Sequence, residues 1–143
     1  MVNQLSIFLE NTTGRLSQMT HVLSDNGVDL LALSIADTTN FGILRTIVSD
    51  ETKAVEKLKE KGYTVNLSPV IVVAVPDHPG GLTEVLDFLY DASIGIEYLY
   101  SFVNKPKENA LIVFKVDDVP GAIEALEAKE VPMLSKADLE SSL

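Results

Sequence analysis

The sequence predicts an α+β fold built from two βαββαβ units in tandem, residues 1–68 and 69–143. Three observations predict it. The chain is similar to itself at a nearly fixed offset, each copy runs through the same order of hydrophobic periods, and the composition supports a packed core in both halves. In the offset, Gly14 matches Gly80, Leu16 matches Leu82, Leu23 matches Leu89, Asp25 matches Asp91 and Leu33 matches Leu99, all 66 positions apart. Further on, Asp50 matches Asp118, Ala54 matches Ala122 and Leu58 matches Leu126, now 68 apart. Two residues are therefore inserted in the second copy, and the Lys-, Pro- and Asn-rich stretch Asn104 to Asn109 is the natural place for them.

Each unit opens with a strand. Leu5 to Leu9 alternates and reads as a strand, whereas Val70 to Val75 is a continuous β-branched run suited to a buried one. A glycine turn follows, then helical spacing: Leu16, Met19 and Leu23 share one face in the first copy, and Leu82, Val85, Leu86 and Leu89 do in the second. Strands are expected at 28–35 and 42–48, and again at 94–102 and 110–116. The second helices cover 51–61 and 120–129, with Asp50 and Asp118 at N-cap positions and Pro120 in a first turn. Short strands near 63–67 and 131–134 close the units. This order is the ferredoxin-like split unit, with its helices on one face of the sheet.

Composition narrows the function. The 143 residues hold 11 basic and 21 acidic side chains, a formal charge of −10, with 46% hydrophobic and 22% charged residues. Nucleic-acid and anionic-membrane binding both draw on Lys and Arg, so neither partner is expected. Residues 1–68 carry 6 basic and 8 acidic residues, net −2, and residues 69–143 carry 5 and 13, net −8, so the two copies have diverged. Cysteine is absent, which removes disulfides, thiol nucleophiles and sulfur-ligated zinc. The N-terminus lacks a basic region followed by a long apolar stretch, and the longest apolar run is far too short for a bilayer. A soluble, cytoplasmic protein is expected.

The turn after each first strand carries the functional signal. In both copies the strand runs into Asn or Asp, then a short turn, then Gly and the helix: Asn11-Thr12-Thr13-Gly14-Arg15-Leu16 and Asp77-His78-Pro79-Gly80-Gly81-Leu82. Glycine permits the sharp bend, and the first helical amides near Gly14 and Arg15, or Gly80 and Gly81, suit a carboxylate. Asn11 or Asp77 would then hold an ammonium or amide. A purely structural reading, glycine for the bend and Asn or Asp as its cap, explains the same residues.

These segments resemble the ACT domain, a small module that binds amino acids in many biosynthetic enzymes. DHPGGL is close to that family's usual turn, and NTTGRL departs from it with Thr13 where Pro is common. ALSIADTTNFGILRTIV is further similar to stand-alone tandem ACT proteins with no attached enzyme. The resemblance implies two ACT units side by side, an eight-stranded antiparallel sheet with helices on one face, and ligands at the seam. The first turn would face Tyr100, Ser101 and Phe102, and the second would face Ser34, Ile35, Ala36 and Asp37. The seams would differ, since Arg15 offers a cation where Gly81 offers only space and backbone, and Asp77 is charged where Asn11 is neutral. The expected function is that of a non-catalytic, amino-acid-binding, allosteric regulator that forms a homodimer. An interaction module with a vestigial site, acting on an enzyme or regulator, is the alternative.

Other chemistry finds little support. His21 falls off the helix stripe, and His78 reads as a loop residue. Asp117-Asp118 suits a helix start better than a metal site, and no metal or cofactor is expected. No GxSxG, P-loop or GxGxxG follows a strand, so no catalytic residue is assigned. Tyr98, Tyr100 and Phe102 alternate along one strand face, as in RNA-stacking platforms, but the negative charge and the missing Arg and Lys around those rings argue against RNA. A buried interface or pocket wall is expected instead. Lys53, Lys57 and Lys61 form a solvated helix face, paired with Glu56 and Glu60. Asp37 to Gly42 is a hairpin loop whose Phe41 is placed to cover a neighbouring pocket.

Overall fold

The computed structural model describes residues 2–10, 12–37, 41–103 and 109–141, the side chains of Asp37, Glu140 and Ser141 aside. Packing divides it into a first unit, Asn3–Ser68, and a second, Pro69–Leu143, which Val2 joins.

In the first unit β1 (Val2–Glu10), α1 (Arg15–Asp25), β2 (Leu30–Asp37), β3 (Phe41–Val48) and α2 (Glu51–Glu60) lead into β4 (Val65–Pro76). The strands lie in the order β2-β3-β1-β4, with β1 and β2 antiparallel to β3. Alternation on β1 sends Leu5, Ile7 and Leu9 to one face, where they meet Met19 and Leu23 of α1 and Ala54 and Leu58 of α2. Both helices therefore cover the same face of this sheet. Leu16 departs from the expected stripe and is 40% exposed.

The second unit repeats the plan with the rest of β4, α3 (Gly81–Asp91), β5 (Ile96–Ser101), β6 (Asn109–Val116), α4 (Val119–Ala128) and β7 (Met133–Leu134). Its order is β7-β4-β6-β5. Ile71, Val73 and Val75 pack on Val85, Leu89, Ala122 and Leu126. Val70, Val72 and Ala74 on the other face are buried too, so the continuous apolar run reports a strand buried on both sides.

The strand count corrects the expected eight. Seven strands occur among the described residues, because the closing strand of the first unit and the opening strand of the second are one strand of 12 residues, β4. Ser68-Pro69 does not break it. Proline pushes its predecessor into extended backbone, and no glycine bend intervenes.

Helix ends repeat across the units. Asp50 and Asp118 cap α2 and α4 by accepting from the amides of Lys53 and Gly121 at 3.1 and 3.0 Å. Gly27 and Gly62 end α1 and α2 at φ 70° and 86°, and their counterparts Ser93 and Glu130 hold the same left-handed conformation at 59° and 57°. A fifth helix was not expected: α5 (Lys136–Ser141) follows β7. It begins with a reciprocal cap, Ser135 N–H to Asp138 Oδ2 at 2.8 Å and Asp138 N–H to Ser135 Oγ at 3.2 Å. No helix among the described residues is long and apolar enough to cross a membrane.

Candidate functional site

The two glycine turns have the same backbone hydrogen bonds, 66 residues apart. Thr12 N–H donates to Glu10 C=O at 2.8 Å, as His78 N–H does to Pro76 C=O at 3.0 Å. Arg15 N–H donates to Thr12 C=O at 3.2 Å, as Gly81 N–H does to His78 C=O at 3.0 Å. The helices then start from Gln18 N–H to Gly14 C=O and Glu84 N–H to Gly80 C=O. Gly14 and Gly80 are the N-caps, at φ 85° and 90°, and neither helix has a side-chain cap. That contrasts with the Asp-capped α2 and α4.

This geometry moves the expected anion contacts. The amides of Arg15 and Gly81 are bonded within the turns and do not point to a ligand. The amides of Leu16 and Ser17, and of Leu82 and Thr83, precede the first i to i−4 bond, so helix geometry gives them no acceptor. Gly81 also offers no space: a Cβ there would run into the Pro76 carbonyl. Arg15 has a Cβ and a side chain at the same place, and that side chain turns toward Tyr63.

Within each unit, register brings the turn and the end of the second strand to the same end of the sheet. Glu10 lies opposite Phe41 and Asp37 opposite Gly42, so Thr12 to Leu16 and Ser34 to Ala36 share an end. They are two strands apart, about 10 Å. Pro76 lies opposite Asn109 and Ser101 opposite Ile112, which puts Asp77 to Leu82 and Tyr100 to Phe102 together likewise. Asn11, the side chain of Asp37, residues 38–40 of the expected hairpin loop and residues 104–108 of the expected insertion lie outside the described residues. Thr12, Thr13, Asp77, His78, Pro79 and both N-cap glycines are exposed, whereas Gly81 and Tyr100 are buried.

Other expectations resolve simply. His21 is exposed, and His78 Nδ1 lies 3.0 Å from the Pro79 carbonyl oxygen, hydrogen-bonding distance for a protonated Nδ1. Tyr98 and Tyr100 stack at 6.4 Å and 21° on the face opposite the helices. A lysine does stand beside them, since Lys115 is in register with Tyr98; it bridges Glu97 at 3.0 Å. Phe41 packs against Phe8 at 6.2 Å. Lys57 bridges Glu60 at 3.7 Å on the solvated face of α2. Asp117 acts structurally, accepting from Gly95 N–H at 2.9 Å. No group of His, Asp or Glu side chains among the described residues is arranged to hold a metal ion. The Arg15–Tyr63 pairing was missed, because nothing local links residues 48 apart.

Duplicated ferredoxin-like units, each with an uncapped glycine turn at one sheet end, define a tandem of small α+β domains. The chain belongs to the ACT domain pair family, whose profile matches residues 1–142. ACT domains are regulatory, ligand-binding modules. The structure is similar to protein BT0572 from Bacteroides thetaiotaomicron, 43% identical, with a TM-score of 0.91 over 97% of this chain and 95% of that one. It is also similar to the regulatory subunits of aspartate kinase from Thermus thermophilus and Thermus flavus. These are 13% and 14% identical, with TM-scores of 0.63 and 0.60, each over 88% of this chain and 90% of that one. At that identity the two kinase subunits show the shared fold alone. No curated protein matches the chain.

Proposed function

We propose that this chain is a non-catalytic regulatory protein that binds an amino acid at the seam between two ACT domains, residues 1–68 and 69–143. In this reading each turn supplies helix amides for a carboxylate, and Asn11 or Asp77 receives the ammonium. The end of the second strand of the other domain closes the site: Tyr100, Ser101 and Phe102 for the first turn, Ser34 to Asp37 for the second. The observation that carries the reading is the pair of uncapped helix starts whose turns share one hydrogen-bond pattern, in a chain whose other paired helices are capped by Asp. Family membership supports it. Binding regulates only if the ligand favours one conformation or assembly over another, and a cytoplasmic homodimer is the assembly we infer. A thermal-shift screen of the standard amino acids tests the reading, because a ligand held only by the folded state raises the melting temperature.

A second reading, an interaction module with a vestigial site, draws on edge strand β2. Its Leu33 and Ile35 are 38% and 44% exposed, and edge strands with apolar side chains suit pairing with another chain. No shift with any amino acid, together with a stable complex with a partner protein, favours it.

A further inference from the structure

The two turns share a backbone but not a charge. The Arg15 guanidinium carbon lies 4.3 Å from the centre of the Tyr63 ring, and Nη1 donates to Tyr63 Oη at 3.3 Å. Tyr63 is 6% exposed and belongs to the core of the first unit, so the ring that holds the fork is itself fixed. Among the described residues no carboxylate pairs with Arg15, and its Nε is buried without an acceptor. This occurs in a chain with 21 acidic residues against 11 basic ones, where an ion pair is easily found. A guanidinium stacked on an aromatic ring has given up much of its freedom already, and a positive charge without a carboxylate partner among the described residues favours an anion from outside the chain.

The second unit has no equivalent. The residue matching Arg15 is Gly81, where a Cβ would collide with the Pro76 carbonyl, and the residue matching Tyr63 is Val131. Asp77 adds a negative charge where the first turn has Asn11.

We propose that Arg15, positioned by Tyr63, makes the first turn selective for amino acids that carry a second carboxylate, while the second turn has no such preference. This rests on the reading of the turns as amino-acid sites. Helix amides take one carboxylate and the guanidinium takes the other, so charge, not size, sets the selection.

Calorimetric titration of the intact protein with L-aspartate against L-asparagine, and L-glutamate against L-glutamine, compares ligands of one shape and two charges. The acid is expected to bind at least about tenfold tighter than its amide, as one charge-assisted contact allows. The amide shifts of Leu16 and Ser17 should move with aspartate. In Arg15→Gln the acid-to-amide ratio should fall to within about twofold of unity, and in Arg15→Lys and Tyr63→Phe to an intermediate value. A purely structural role for the pair would lower stability and leave the ratio alone. Equal binding of acid and amide by the unaltered protein, or a preference that survives Arg15→Gln, overturns the assignment while leaving amino-acid binding in place. Binding of no amino acid at all overturns both.

Discussion

Gly14 and Gly80 occupy the same left-handed conformation, φ 85° and 90°, at the same point of two turns with the same hydrogen bonds. A Cβ at either position would meet nothing within 4 Å. The cost of a side chain there is therefore backbone strain alone, about 1–2 kcal/mol. Gly14→Ala and Gly80→Ala should each lose that much stability in urea denaturation, by nearly equal amounts. A loss well below this at either site would mean that its turn relaxes to another conformation.

Gly81 behaves oppositely, since its φ is ordinary but its surroundings are closed by the Pro76 carbonyl. Gly81→Ala should destabilise by roughly 1–3 kcal/mol through overpacking, and Gly81→Arg should not create a second copy of the Arg15–Tyr63 arrangement. Denaturation midpoints check the first point, and an unchanged acid-to-amide binding ratio in folded Gly81→Arg checks the second.

Ser93 and Glu130 hold the left-handed conformation that glycine holds at Gly27 and Gly62 in the first unit. Restoring glycine relieves the strain and costs some unfolded-state entropy. Ser93→Gly and Glu130→Gly should thus stabilise by a net of roughly 0.5–1 kcal/mol each. The reciprocal changes Gly27→Ser and Gly62→Glu should destabilise. Melting of the four variants side by side decides this.

Asp138 has its carboxyl held below the usual range, first by the Ser135 backbone amide and then by the Ser135 hydroxyl. A carboxylate with a lowered value in the folded state contributes stability above its unfolded value and loses it as pH falls through the folded one. The end of the chain should therefore loosen on acidification below the ordinary aspartate range. The protection of the 136–141 amides, corrected for the intrinsic slowing of exchange in acid, should fall there, and in Ser135→Ala, which keeps the backbone contact but loses the hydroxyl, it should already be reduced at neutral pH.

Much of this was legible because duplication doubles a weak signal. Asp50 with Asp118, and Gly14 with Gly80, mark helix starts that neither copy alone would secure. What escaped was set by packing or by distance. Ser68-Pro69 reads as a boundary, yet proline keeps an extended predecessor extended, so two expected strands are one. The α5 helix is 6 residues long and buries Leu139 without an apolar stripe; its signal was the Ser135-to-Asp138 capping spacing. The turn amides of Arg15 and Gly81 read as free because the bonds that engage them depend on the turn geometry, which the residue types only permit.

The most direct measurement is calorimetric titration of the intact protein with whichever amino acid raises its melting temperature most, repeated on folded Gly14→Val and Gly80→Val. Binding should be saturable, with an affinity that falls at least about tenfold, roughly 1.4 kcal/mol, in one of the two variants, and with unequal contributions from the two turns. Affinity unchanged in both variants, or two equal and independent sites, would contradict it.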